Sequence, residues 1–225
     1  MFRFRTTRDT TFRFKNGEFA MIGMYSQKYK REIHRAYSIV STSYDDYLEF
    51  LSIKIEDGPL TSELQHIQPG DEILIKPKTT GSLCADYLTP KENLVMLSTG
   101  TGLAPFVSII RDPYTYERFK NVYLFHTVRK VNELAFSNTI LDVCNDVPLT
   151  YIPTVTQEPY EREGRFWKYL PGVLGHELDY DIDGVMVCGS MQLNKECRDK
   201  FSTAGWQEGN TGEMGDFLLE RAFVG

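Results

Sequence analysis

Two rhythms of apolar positions divide the chain. From residue 1 to about residue 88 the apolar residues come in short, partly alternating runs rich in β-branched and aromatic side chains. These are RFRTT, FRFKNGEFAMIGM, HRAYSIVS, LEFLSIKI and DEILIKP, and such runs read as half-buried strands. Turn chemistry separates them, in Asn16-Gly17, Asp57-Gly58-Pro59 and Pro69-Gly70-Asp71, where glycine and proline punctuate the chain. Short strands at this spacing predict a small antiparallel β-barrel, which closes on itself and exposes no edge. One short helix is predicted over LTSELQHI, residues 60–67.

After Pro90 the rhythm changes to apolar runs bounded by loops: NLVMLST (93–99), NVYLFHTV (121–128), PLTYIPTV (148–155) and GVMVCGS (184–190). Helical stretches lie between them at 104–111, 132–145 and 191–204, with Leu134, Ile140 and Leu141 as the expected buried stripe of the second. Strands alternating with helices predict a parallel sheet covered on both faces. The expected fold is a two-domain β plus α/β chain: an antiparallel β-barrel over 1–90, then a parallel-sheet α/β domain over 91–225. There are no internal repeats and no low-complexity segments.

Composition leaves this picture intact and removes several function classes. The 225 residues are 41% hydrophobic and 25% charged, ordinary for a folded soluble protein. No apolar run approaches the roughly 18 residues of a membrane span, and the arginine-dense start MFRFRTTRD lacks the apolar core of a secretory signal. Cys84, Cys144, Cys188 and Cys197 form no C-x-x-C pair and no zinc or iron–sulfur spacing, so a reducing cytoplasm and no resident metal are expected. The net charge of −6 argues against a general nucleic-acid binder. Its distribution is uneven, because residues 1–35 carry nine Lys/Arg against three Asp/Glu. That segment fits either a solvated strand face or a docking face for an acidic partner.

The strongest local chemistry is STGTGLAPF, residues 98–106, set between a predicted strand and a predicted helix. Gly100 and Gly102 permit positive φ and a close backbone approach to a phosphate, and Pro105 suits the first turn of a helix. A strand–helix turn with no ligand fits the same residues. A dinucleotide site that grips an unphosphorylated ribose has an acidic residue about 20 positions on. Here the next strand ends in His126 and Arg129. A positive side chain suits a 2′-phosphate and hence NADP, with a surface arginine as the other reading of Arg129. His126 falls near the phosphate position, whereas His34, His66 and His176 read as structural or exposed.

In the first half, RAYS at 35–38 places Arg35 to pair with a pyrophosphate, Tyr37 to stack on a flat ring and Ser38 to bond a ring nitrogen. Equally, Tyr37 and Ile39 could face a barrel core with Arg35 in water. Thr61 and Ser62 start the predicted short helix, a second phosphate-binding geometry.

Seven segments in order, RAYS, GPLTSELQHIQPGD, STGTGLAPF, HTVRKVNELAF, PTVTQEP, MVCGSM and ERAFVG, cover essentially the whole chain. On these the protein resembles the bacterial class of ferredoxin–NADP reductases. The resemblance implies FAD on the barrel, NADP(H) on the α/β domain, and electron exchange with a one-electron carrier, ferredoxin or flavodoxin. It assigns Arg35, Ala36, Tyr37, Ser38, Ser52, Ile53, Lys54, Pro59, Leu60, Thr61 and Thr101 to FAD. Ala222 and Phe223, in a tail folded back over the flavin, complete that set. To NADP(H) it assigns Gly100, Gly102, Arg129, Arg165, Cys188 and Gly189. Tyr37, Ser38, Cys188 and Ala222 would border the reacting atoms. Cys188 also reads as a small buried residue, since nothing near it in sequence would lower its pKa. An acidic ferredoxin or flavodoxin gives the basic first segment a meaning; neither nucleic acid nor membrane is an expected partner.

Two departures stand out. Members of the family usually begin with a further strand-forming segment before FRFRTT, so one barrel edge is expected to be unpaired. They also carry an arginine in the stretch that here reads PTVTQEP, where Gln157 stands, while Arg165 keeps the second arginine. The fold also serves reductases that feed free flavin or an oxygenase, and flavin-binding interaction or sensor proteins without turnover. Restoring the missing charge-assisted hydrogen bond with Gln157→Arg is expected to raise the NADPH over NADH ratio of kcat/KM by about tenfold or more. An unchanged ratio in steady-state kinetics removes Gln157 from coenzyme choice.

Overall fold

The computed structural model describes residues 1–55 and 58–222. The first half contains β1 (Phe2–Thr7), β2 (Phe19–Ser26), β3 (Arg31–Ser38), β4 (Tyr47–Ser52), α1 (Thr61–Leu64) and β5 (Leu74–Ile75). All its strand pairs are antiparallel. β1 pairs with β4, and β2 lies between β3 and β5. The two small sheets meet where Ile39 bridges Phe50 and the Val40 N–H donates to Glu49 O at 2.9 Å. Phe4, Ile22, Ile39, Leu48, Phe50, Leu60 and Leu64 fill the space they enclose. Burying each such side chain contributes roughly 1.5–3 kcal/mol.

These elements are shorter than the apolar runs predict, for identifiable reasons. Phe12–Asn16 does not extend β2, because the chain must turn at Gly17. That residue has φ +96°, its N–H donates to Ser108 Oγ at 3.1 Å, and a Cβ would overlap the Leu83 carbonyl. The Arg8 guanidinium instead holds the segment by donating to the carbonyls of Phe12, Ser43 and Asp45. The helix expected over 60–67 closes to Thr61–Leu64, and only Leu74–Ile75 of DEILIKP pairs with β2.

The second half contains β6 (Asn93–Thr99), α2 (Ala104–Ile110), α3 (Pro113–Arg118), β7 (Asn121–Val128), α4 (Ser137–Asp146), β8 (Leu149–Val155), α5 (Leu170–Leu174), β9 (Asp183–Gly189), α6 (Met191–Thr203) and β10 (Phe217–Arg221). The strands form one parallel sheet in the order β10-β9-β6-β7-β8. Leu94 and Met96 of β6 face a core shared with α2, α4 and Val40, Leu51, Leu83 and Leu88 of the first half. Val95 and Leu97 face the opposite core, with Leu193, Cys197, Phe201 and Trp206. Burial on both faces is why these strands read as unbroken apolar runs.

Three features of this half depart from the sequence reading. β10 lies in what reads as an apolar tail. The second helix starts at Ser137, after Phe136 adopts φ +60°, so its packed positions are Ile140, Val143 and Cys144, the spacing of one helical face. Leu141 points away and is 53% exposed, which corrects the expected stripe. Among the described residues, no helix is long and apolar enough to cross a membrane.

Chain order fixes where a ligand can sit. From β6 the chain moves outward through β7 and β8, then crosses back to place β9 on the other side of β6. The crevice of such a sheet opens at the carboxyl ends of the strands flanking that reversal. Thr99 and Gly189 end those two strands.

Candidate active site

At the end of β6 the chain makes a 3₁₀ turn over Gly100–Leu103 and enters α2 with Pro105 in its first turn. The two glycines do different work. Gly100 has φ +55° and open space where a Cβ would point, so it supplies the left-handed bend. Gly102 does not need positive φ. A Cβ there would overlap the backbone carbonyl of Cys188, so its role is contact between the turn and β9. His126, expected near a phosphate, is instead fully buried on β7 beneath the turn. Its Nε2 lies 3.0 Å from Gly100 O and its Nδ1 3.4 Å from the Tyr151 hydroxyl. Burial pulls its pKa down to about 4, so the ring is neutral at physiological pH.

One cleft beside this turn gathers residues from distant segments. Arg35, Ala36, Tyr37 and Ser38 of β3 form one wall, Leu51, Ser52 and Ile53 at the end of β4 another, and Thr61, Thr101, Ala104 and Ala222 complete it. The Tyr37 ring meets Phe4 and Phe50 at steep angles, 75° and 79°, and its hydroxyl lies 3.1 Å from Ser52 Oγ. Aromatic edges on one side and a hydroxyl partner at the tip fix the ring plane. Burial raises the Tyr37 pKa, so it stays a neutral phenol. The Thr61 hydroxyl donates to Ile55 O at 3.2 Å, which ties α1 to the cleft. Lys54, Pro59 and Leu60 do not line it. Lys54 is exposed and Leu60 is packed in the core, leaving Leu60 only its backbone to offer. Phe223 lies outside the described residues.

A second cleft of about 520 Å³ opens on the other side of Thr101. Gly100, Thr101 and Ala222 line it together with Thr127, Arg129, Thr156 and Arg165. Both arginines carry carboxylate partners. Arg129 Nη2 is 3.1 Å from Glu133 Oε1, and Arg165 Nη1 is 2.7 Å from Glu196 Oε2. Gln157 neighbours Arg129 through its backbone, donating to Arg129 O at 2.9 Å. Ile53, Thr101 and Ala222 belong to both clefts, so the two spaces adjoin.

Gly189 and Cys188 are close by but not in the walls. The Gly189 carbonyl accepts from the Ala222 N–H at 3.0 Å, pinning the residue after β10 to the end of β9. Cys188 is 1% exposed, and burial pushes its thiol well above the ordinary range. Its side chain packs in the core, and its carbonyl meets Gly102.

Sequence reasoning missed Glu220. It pairs in register with Cys188, its Oε2 accepts from the Ser82 N–H at 3.2 Å, and the Ser38 hydroxyl faces it. Burial raises its pKa to about 7, with Glu18 adding to the shift. The apolar FLL that precedes it was the available signal for a last strand. Leu51, Ala104 and Glu133 were missed for the same reason: each reaches a cleft from an element whose placement is tertiary, and Glu196 touches the second cleft only through Arg165.

A family model described as an oxidoreductase NAD-binding domain matches residues 96–199. The chain is 43% identical to a ferredoxin–NADP reductase of Azotobacter vinelandii, over all of this chain and 92% of that protein. It is 40% identical to a flavodoxin/ferredoxin–NADP reductase of Rhodobacter capsulatus, over all of this chain and 88% of that one. The crystal structure of a ferredoxin NADP+ reductase from Neisseria gonorrhoeae with bound FAD and NADP superposes with a TM-score of 0.87 at 30% identity, covering 98% of this chain and 92% of the other. The chain belongs to the ferredoxin–NADP reductase family.

For a ferredoxin–NADP reductase, the contact between Gly102 and β9 is the tightest constraint in the site. Gly102→Ala is expected to lower stability by about 1–3 kcal/mol through overpacking against backbone. Urea denaturation followed by circular dichroism checks this; a midpoint equal to wild type shows that the turn can give way.

Proposed function

We propose that this chain is an FAD-dependent oxidoreductase that exchanges electrons between NADP(H) and a one-electron carrier, ferredoxin or flavodoxin. The observation that carries the reading is the pair of clefts with three walls in common, Ile53, Thr101 and Ala222. A ring site and a nucleotide site that share walls bring two redox partners together without a relay between them. The relatives named above carry this activity in their names.

The first cleft fits FAD by its donor chemistry. Tyr37 offers a fixed aromatic face, Ser38, Ser52 and Thr61 offer hydroxyls, and Arg35 offers a cation for a pyrophosphate. The chemistry that bound FAD supplies is acceptance of a hydride from NADPH and release of electrons one at a time. The protein's part is to hold and orient. Tyr37 is braced by Phe4 and Phe50, Thr101 stands between the clefts, and Ala222 closes one end with its N–H tied to Gly189. Glu220 sits beside Ser38 with a carboxyl that exchanges its proton near pH 7. In the second cleft, Arg129 and Arg165 are the cations for a 2′-phosphate, and the Gly100–Thr101 backbone is the surface for a pyrophosphate.

The acidic-partner reading of the first segment narrows to fewer charges. Arg5 is paired with Glu49 and Lys15 with Asp86, and Arg8 and Arg13 are bonded to backbone carbonyls. Arg3 lies over the Phe136 ring near the mouth of the second cleft, which Met1 helps to line. Arg35 donates to His34 O and is given above to the pyrophosphate, so Arg3 is the cation of this segment closest to the site for an acidic carrier.

Two measurements test the proposal. The purified protein is expected to be yellow, and anaerobic NADPH is expected to bleach its flavin absorbance; a colourless protein, or a yellow one that NADPH leaves unchanged, overturns the reading. Electron transfer to a reduced-charge and a native acidic carrier should then slow as ionic strength rises, because complementary charge chiefly speeds encounter. A rate that stays flat from low to high salt removes the docking role of Arg3.

A further inference from the structure

One buried side chain holds the peptide between Gly100 and Thr101 from below. His126 Nε2 is 3.0 Å from Gly100 O, and its Nδ1 is 3.4 Å from the Tyr151 hydroxyl. A carbonyl oxygen only accepts, so Nε2 carries the hydrogen and donates; the free lone pair on Nδ1 then receives the Tyr151 O–H. These partners define one neutral tautomer with both nitrogens satisfied.

This bond sets a direction. The Gly100 carbonyl is turned inward, toward the sheet. In a planar trans peptide the N–H of the next residue points opposite to the carbonyl, so the Thr101 N–H faces outward. Thr101 stands at the start of the 3₁₀ turn, where amides have no acceptor within the turn. In front of that peptide the structure is open, since Gly100 and Thr101 line the second cleft and nothing lies near the missing Cβ of Gly100. The left-handed φ of Gly100, +55°, is the conformation that the clamp holds.

Neighbouring side chains do not share the task. Glu220, Cys188, Ser98 and His126 occupy one row across β10, β9, β6 and β7. Ser98, next to His126, has a buried hydroxyl with no hydrogen-bond partner, and the Cys188 side chain is packed in the core. His126 is the member of the row that reaches the turn.

We infer that His126 is a positioning residue for the nucleotide substrate: by holding the Gly100 carbonyl inward it aims the Thr101 N–H at an anionic oxygen in the second cleft. The inference rests on the reading of that cleft as the NADP(H) site. It concerns affinity rather than the chemical step, because His126 is buried and lines neither cleft, reaching the second one through the Gly100 carbonyl alone.

The test compares His126→Leu, His126→Gln and Tyr151→Phe in the flavin-loaded protein. NADP+ affinity is read by isothermal titration calorimetry, KM and kcat for NADPH with ferricyanide as acceptor, and folding by thermal melting. The Leu variant is expected to weaken NADP+ binding about tenfold and raise KM for NADPH alike, the loss of one buried hydrogen bond. Its kcat at saturation should stay within about twofold. Gln keeps an N–H at similar reach and should recover most of the affinity, whereas Tyr151→Phe should cost roughly two- to threefold. A folded Leu variant with unchanged NADP+ affinity, or a Gln variant as weak as Leu, overturns the inference. If both His126 variants fail to fold, Tyr151→Phe decides, and unchanged affinity there overturns it. Wild-type protein that binds FAD but not NADP+ would instead overturn the function proposed above.

Discussion

Backbone meets backbone where the glycine turn crosses the end of β9. At Gly102 there is no room for a methyl group beside the Cys188 carbonyl, and much of the site follows from that contact. It sets how close α2 can come to the sheet, and so where Pro105 and Phe106 are buried. It also places Thr101 between the two clefts, with one side toward β3 and β4 and the other toward β7. The same approach aligns Gly100 over His126. A bulkier residue would lift the turn, and both clefts would lose a wall.

The charged groups near the second cleft are arranged as compensated pairs. Glu133 accepts from the Arg129 N–H at 2.9 Å as well as from its guanidinium, so the carboxylate fixes both the backbone and the side chain of the arginine. Arg165 is tied to Glu196 on α6 instead. Both pairs are partly exposed, and such pairs contribute little to stability. What they do is hold two flexible cations in defined places. On the proposed reading of this cleft, an arriving phosphate would meet guanidinium groups already oriented but already partnered, and its binding would be an exchange of anions. Gln157, beside Arg129, supplies no further positive charge to that exchange.

The large divisions of this fold are legible in the residue pattern because burial is extreme. β6 and β9 are covered on both faces, so almost every position is apolar and little else fits. The cluster RAYS and the glycine turn are legible because each is short and local, with its chemistry packed into four or five positions. What the pattern hides is anything decided by a neighbour from elsewhere in the chain. Phe12 and Phe14 look like strand residues, but Gly17 turns the chain before they can pair. Leu141 looks like core until Phe136 resets the start of α4. Glu220 belongs to the site only because β10 docks against β9, and the apolar run that carries it reads equally well as a loose end. His126 reads from the sequence as a neighbour of a phosphate, whereas its partner in the structure is the carbonyl of the turn, set by the register between β6 and β7.

The bond from the Ala222 N–H to the Gly189 carbonyl has a mechanical reading. Residue 222, just past β10, is tied to a fulcrum at the last residue of β9, one position beyond the carbonyl that Gly102 touches. Ala222 and the glycine turn therefore bear on adjacent residues at the end of β9. A load applied at Ala222 is felt first at that pivot, and through it at the turn between the clefts. The stiffness of β9, seated in the interior of its sheet, governs how much of that load is passed on.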